Sequence, residues 1–342
     1  MKALVTGGGG FLGGRIVRML CDRGDEPIAL GRSSYPDLEA LGVRTIRADI
    51  RDPEALRRAC EGVDVVFHVA ALAGVWGKRS DFQSINVEGT RIVLNACRGA
   101  GVGRFVYTSS PSVVFGSQPL CGVDESHPYP RRYLADYPAS KAAAERLVLA
   151  ANDRRLSTVA IRPHLVWGPG DPHLVPRIVE RARSGGLRQV GDGANLVDMT
   201  YVDNAAEAHL LAADALTPDA RCAGRPYFIS QGKPVVLWGW INDLLQRLGV
   251  DPVSRRISPA VATTVGAVFE MVYAVFRIQS EPPMTRFVVG QLCKSHYFDI
   301  SAARREIGYK PRISMEEGME RLLSWMKSPN NCNSGRRGPS GV

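Results

Sequence analysis

The chain has 342 residues, 45% hydrophobic and 23% charged, a composition that supports a large buried core and excludes a disordered or fibrous protein. Basic residues outnumber acidic ones 43 to 34, but the net charge of +9 is scattered, with no run of five or six like charges, which argues against a nucleic-acid-binding tract. Seven cysteines at wide spacing, without a C-x-x-C, exclude a disulfide framework and a zinc site, so reduced thiols and a cytoplasmic location are expected.

No signal peptide is readable at the N-terminus, which runs straight into a first strand, Lys2–Thr6. A helix over 13–23 follows, with Ile16, Val17 and Leu20 on one face and Gly24 as its stop. Strands are predicted over 26–30 and 44–49, then a helix opened by Asp52-Pro53-Glu54, with Asp as cap and Pro in the first turn. Next come a strand over 64–71, a helix over 81–98, a strand over 104–110, a helix over 137–152 and a sixth strand over 158–162. Continuous apolar strands between helices mean a parallel sheet covered on both faces, the doubly wound α/β class. Residues 1–165 are therefore expected to form a dinucleotide-binding core. Residues 166–327 are expected to form a smaller C-terminal substrate lobe interleaved with it, and 328–342 a disordered tail. The apolar stretch 259–278 contains Glu270 and Arg277 and reads poorly as a membrane span; a core helix, a roof over substrate and an interfacial helix all stay open.

Between the first strand and first helix lies Thr6-Gly7-Gly8-Gly9-Gly10-Phe11-Leu12-Gly13. Glycines here permit a tight turn, and the helix start offers free N–H groups to a pyrophosphate. Both Gly7/Gly10/Gly13 and Gly8/Gly10/Gly13 satisfy a dinucleotide register. The second strand ends Leu30-Gly31-Arg32-Ser33-Ser34, with no acid for a ribose 2′-hydroxyl, so Arg32 favours the 2′-phosphate of NADPH, with NADH as the alternative. Asp49 and Ile50, after the third strand, are placed to meet the adenine.

Tyr137-Pro138-Ala139-Ser140-Lys141 puts a phenol and an ammonium four residues apart on one helix face. A nearby cation lowers a phenol's pKa from about 10 and tunes it for proton transfer to or from a substrate oxygen. The preceding strand ends Tyr107-Thr108-Ser109-Ser110, and Ser110 is placed to hold that oxygen, with Ser109 as its alternative. His68, in an apolar strand, reads as a buried structural or cofactor-edge histidine. Arg177 reads either as a surface charge or as a carboxylate fork.

With these motifs, the strand ending Val69-Ala70-Ala71 and Tyr-Pro-Ala-Ser-Lys, the chain resembles the extended short-chain dehydrogenase/reductases over residues 1 to about 327. Ile161-Arg162-Pro163, Gly191-Asp192-Gly193 with Asp198, Tyr201-Val202-Asp203-Asn204, Pro283-Met284-Thr285-Arg286 and His296-Tyr297-Phe298-Asp299 resemble their 3β-hydroxysteroid dehydrogenase branch. Several stretches, among them Val166-Trp167-Gly168-Pro169-Gly170-Asp171 and Glu281-Pro282-Pro283-Met284-Thr285-Arg286-Phe287, are similar to the bacterial 2-alkyl-3-oxoalkanoate reductases of long-chain olefin biosynthesis. The resemblance implies a Rossmann-fold NAD(P)-dependent oxidoreductase of lipid metabolism, acting on the CH–OH/keto group of a large hydrophobic keto acid or sterol-like substrate. A sugar-nucleotide epimerase or dehydratase is the alternative on the same fold. It implies Ser110, Tyr137 and Lys141 as catalytic set, Lys141 also on the nicotinamide ribose, and Ala70, Ala71, Pro163 and His164 beside the cofactor. Asn86 matches a family asparagine, with helix packing an equal reading. Partners left open are a second copy, pathway enzymes and a membrane surface.

Overall fold

A computed structural model describes residues 1–328; all but the first residue of the expected tail lie outside this range. Seven parallel strands form the main sheet: β1 (Lys2–Thr6), β2 (Glu26–Gly31), β3 (Arg44–Arg47), β4 (Val65–His68), β5 (Arg104–Thr108), β6 (Ser157–Pro163) and β7 (Arg225–Ile229). Their order is β7-β6-β5-β4-β1-β2-β3. The chain therefore winds outward in one direction from β1 through β3 and in the other from β4 through β7. The crevice at the carboxyl ends of β1 and β4 is the place where such sheets bind ligands.

Alternation along the strands supplies both faces. Ala3 and Val5 pack with Ile16, Val17 and Leu20 of α1 (Phe11–Asp22), in a cluster shared with Ala206, Leu210 and Ala213. Leu4 and Val66 pack on the other face with Leu56 of α2 (Pro53–Ala59), Val93 and Cys97 of α3 (Gly89–Ala100) and Ala144 and Val148 of α4 (Asp136–Ala150). Asp52 caps α2 as its sequence predicts, accepting from the N–H groups of Glu54 and Ala55. The helix expected over 81–98 is broken by a π-helical segment, Gln83–Glu88, just before α3. The seventh strand was not among the six expected; its Arg-Pro start masks an apolar Tyr227-Phe228-Ile229 run buried beside β6.

A third cluster forms around Trp167, Trp238, Trp240, Leu244, Val289, Met319 and Leu322. Beside it lies a four-stranded sheet in the order Val235–Val236, Leu196–Val197, His296–Phe298, Leu120–Val123. Helix α5 (Leu174–Arg183) packs here, as does α6 (Pro259–Val275), whose Val261, Val268, Met271 and Val275 face solvent. No helix among the described residues is long and apolar enough to cross a membrane.

Candidate active site

The glycine turn is built by contacts that no side chain tolerates. Gly7 has φ +69°, and a Cβ on it would lie 2.9 Å from the Ala70 backbone, so β1 and β4 meet there at backbone distance. A Cβ on Gly13 would stand 2.2 Å from the Gly7 carbonyl oxygen. Helix α1 starts from Gly10 with no side-chain cap and no acid in its first turn. Its amide groups and the positive end of its dipole are thus left to an anion. These features fit the pyrophosphate of a dinucleotide. Gly13→Ala is expected to weaken dinucleotide binding at least about tenfold, because one charge-assisted hydrogen bond is worth about 1.5–3 kcal/mol. Equilibrium binding by calorimetry checks this.

A cleft of about 570 Å³ runs from this turn across the sheet's carboxyl edge. Gly7, Gly10, Phe11, Leu12, Gly13, Arg32, Asp49, Ile50, Ala70, Ala71, Ser110, Tyr137, Lys141 and Pro163 all line it. The structure thus brings together every residue singled out for the catalytic set and the cofactor, with the exception of Gly8, of the alternative glycine register, and of His164. His164's ring is buried and meets His296, Nε2 to Nδ1, at 2.7 Å, so it faces the four-stranded sheet instead. Burial lowers the pKa of both imidazoles, and His164 also feels His296. Arg177, one of whose two readings was a carboxylate fork, is held by both oxygens of Glu281 at 3.1 and 2.8 Å.

The lining also includes residues that sequence reasoning missed. Tyr35 lies against the glycine turn, its ring where a Cβ on Gly9 would fall. Asp171 accepts from the N–H groups of His173, Leu174 and Val175 and so fixes the start of α5 at the cleft wall. In the sequence Asp171 is one residue of a Gly-Pro-Gly-Asp-Pro loop, and only its spacing to α5 could have marked it as a cap.

At the reacting end, Ser110 hydrogen-bonds the Tyr137 phenol, which favours the phenolate, but burial acts more strongly and raises that phenol's pKa. Lys141 is 3% exposed. Its ammonium donates to the Thr108 carbonyl at 2.6 Å and stands 4.2 Å over the Tyr107 ring. Burial pulls its pKa down to about 7, and the Glu145 carboxylate opposes that shift. Ser109 also lines the cleft, but it is buried and its hydroxyl is engaged by Glu145.

Two polar networks hold this geometry. The Asn86 side chain accepts from Leu72 N–H at 2.7 Å and donates to Leu72 C=O and to Ser140 Oγ, which in turn donates to the Tyr137 carbonyl. One amide in the π-helical segment therefore ties the loop after β4 to the first turn of α4; such segments recur at functional sites. His68 is fully buried between Thr6 Oγ1 at 2.7 Å and Thr90 Oγ1 at 2.9 Å. Thr90 gives its own proton to the Asn86 carbonyl, so the network assigns the His68 proton to Nε2. Burial pushes His68 down to about 3, which makes it a neutral structural link.

Comparison with known proteins extends this geometry. Residues 4–259 match the 3-beta hydroxysteroid dehydrogenase/isomerase family. A 2-alkyl-3-oxoalkanoate reductase of Stenotrophomonas maltophilia is 51% identical over 94% of this chain and 98% of its own length. Its namesake in Shewanella oneidensis is 47% identical over 94% and 85%. Among solved structures, MoeE5 in complex with UDP-glucose and NAD superposes with a TM-score of 0.73 at 29% identity, covering 95% of this chain and 98% of that one.

Proposed function

The chain belongs to the 3-beta hydroxysteroid dehydrogenase/isomerase family, and from that premise we propose that it reduces the keto group of a 2-alkyl-3-oxoalkanoate to the 3-hydroxy acid, with NADPH, in the cytoplasm. The observation that carries this reading is the convergence of Ser110, Tyr137 and Lys141 on the glycine-lined cleft. The two bacterial reductases named above supply the substrate class.

The cleft would hold a reduced nicotinamide dinucleotide, and the chemistry that group would supply there is hydride for the carbonyl carbon. Tyr137 gives its phenolic proton to the carbonyl oxygen, and the Ser110 hydroxyl donates a hydrogen bond to that oxygen as negative charge builds on it. Lys141, when protonated, stabilises the phenolate left behind and would be the residue that holds the nicotinamide ribose. The glycine turn and the start of α1 would hold the pyrophosphate. Ile50, Ala70 and Ala71 wall the cleft.

The preference for NADPH rests on the adenosine end. Asp49 is the acid there, and Arg51 occupies it through its backbone N–H, Nε and Nη2 at 2.9, 2.9 and 2.8 Å. The Arg51 guanidinium chiefly holds the Asp49 carboxyl below its usual range. Arg47, in register with Gly31 at the edge of β3, donates from Nε to the Arg32 backbone carbonyl at 3.1 Å, which brings a second guanidinium to the segment that carries Arg32. Arg32→Ala with Arg47→Ala is expected to weaken NADPH binding about tenfold or more and leave NADH binding within about twofold, given about 1.5–3 kcal/mol per hydrogen bond to a charged group. Titration with each dinucleotide reads this.

The functional test follows NADPH oxidation with a 2-alkyl-3-oxoalkanoate, a 3-ketosteroid and a UDP-sugar. Turnover of the keto acid is expected; turnover of the steroid or the UDP-sugar alone would overturn the proposal.

A further inference from the structure

Beside Tyr137 a second hollow of about 470 Å³ opens between the loop after β4 and the C-terminal half of α6. It adjoins the reacting end on two sides. Phe82 meets the Tyr137 ring edge to face, centroids 6.4 Å apart, and also lines the hollow. Leu134, Ala135 and Asp136, the residues leading into Tyr137, form another wall. The loop that carries Leu72 and Ala73 along the first cleft continues directly into Val75 and Trp76 of the second.

The helix side is specific. Glu270, Tyr273 and Ala274 share one face of α6, and that face lines the hollow together with Arg277 and Ile278 just past the helix end. Trp76 closes the end: its indole N–H donates to the Ile278 carbonyl at 3.1 Å, and its ring meets Tyr273 edge to face at 6.1 Å. The walls are thus chiefly aromatic and aliphatic. Glu270 is engaged by Arg286 through two 2.7 Å hydrogen bonds, which leaves Asp136 as the acid with no ion-pair partner among the described residues.

Two cations stand exposed at the rim, Lys78 and Arg277, and neither has an ion-pair partner among the described residues. Arg277 takes φ +53° where α6 ends, and Ile278 N–H returns to the Tyr273 carbonyl. This is the helix ending in which glycine is the usual left-handed residue. Termination alone does not call for a guanidinium there, and the choice of Arg277 puts a positive charge at the mouth of an apolar hollow.

We propose that this hollow takes one hydrocarbon arm of the substrate, a long alkyl chain attached beside the ketone held at Tyr137. The proposal rests on the keto-acid reading above and deepens it: a ketone carbon flanked by two alkyl arms needs apolar space close to the phenol, and this hollow lies one ring, Phe82, away from it. The rim cations favour the approach of an anionic amphiphile over a neutral one.

Ala274→Phe narrows the hollow at a residue that takes no part in proton transfer or in dinucleotide binding. With a long-armed 2-alkyl-3-oxoalkanoate, kcat/KM is expected to fall at least about tenfold, the equivalent of roughly two methylenes no longer buried. With a short 2-methyl-3-oxo acid it is expected to stay within about twofold, which also shows that the variant folds. The second readout is binding of tetradecanoate by calorimetry, expected to weaken in the variant to a similar degree. If the long-to-short ratio and tetradecanoate binding both match those of the unaltered protein, the hollow is not the alkyl site. If the unaltered protein reduces no keto acid, but Ala274→Phe still weakens tetradecanoate binding, the ketoreductase reading fails and the alkyl site stands.

Discussion

Tyr137→Phe is expected to lower the rate of keto-acid reduction by a factor of about 10²–10⁴, the usual contribution of a positioned proton donor, while NADPH binding stays within about twofold. The ring keeps its edge-to-face contact with Phe82, and only the hydroxyl is lost. Stopped-flow turnover with a separate binding titration separates the two quantities; a variant that keeps full turnover would remove Tyr137 from the mechanism. Its pH dependence follows from Lys141, which burial holds at about 7. Below that value the ammonium is charged and stabilises a phenolate. Above it the charge is gone, the phenolate is less stable and the phenol is a poorer acid. For the unaltered protein, kcat/KM in the reductive direction is therefore expected to decline as pH rises through about 7.

Much of this arrangement was legible in the sequence because it is local. Gly7, Gly10 and Gly13 sit within one turn, and Tyr137 and Lys141 within one helical turn, so spacing alone placed them on common faces. The apolar runs of β1, β2, β4, β5 and β6 are likewise visible without partners. The parts that escaped are those fixed by distant pairing. Arg177 meets Glu281 across 104 residues, and no local pattern distinguishes that ion pair from a free carboxylate fork. Arg47 follows an ordinary alternating strand, Arg-Thr-Ile-Arg, and gains its place beside Arg32 only from the register of β3 on β2. The π-helical segment at Gln83–Glu88 adds one residue to a turn, which hydrophobic periodicity is too coarse to register, yet it places Asn86 on Leu72 and Ser140. Proximity of Lys141 to the phenol was expected from the Tyr-x-x-x-Lys spacing. Its ammonium is in fact bound to Thr108 C=O over Tyr107, and the phenol's pKa is raised by burial, because the floor of the cleft is drier than the helix surface that spacing describes.

That dry floor makes the ion pair under Lys141 the second large lever. Arg162 and Glu145 are 2% and 0% exposed at their side chains and form two hydrogen bonds, at 2.9 and 2.6 Å, with Tyr129 donating a third to Glu145 at 2.6 Å. Burial acts to raise the Glu145 carboxyl, but the hydrogen bonds and charge of Arg162 outweigh it and hold the group below its usual range. Arg162→Met leaves Glu145 buried without its cation, and unfolding free energy at neutral pH is expected to fall by about 3–5 kcal/mol. The sign with pH then reverses. In the unaltered protein the depressed Glu145 contributes stability above the pKa of an unfolded glutamate, and that contribution is lost as pH falls through the folded value. In Arg162→Met the folded carboxyl lies above the unfolded one, so the penalty grows as pH rises and shrinks toward about pH 4, where the unfolded glutamate is itself protonated. Denaturant melts at several pH values read this directly. Adding Glu145→Gln removes the buried charge and should restore most of the loss, since a buried pair contributes little once both charges are gone. The reductive pH profile should not recover with it: Glu145 is what opposes the fall of the Lys141 pKa, so the decline in kcat/KM should begin at a lower pH in the double variant than in the unaltered protein. Recovery of stability together with an unmoved pH profile would show that Glu145 only supports the fold and does not set the charge on Lys141.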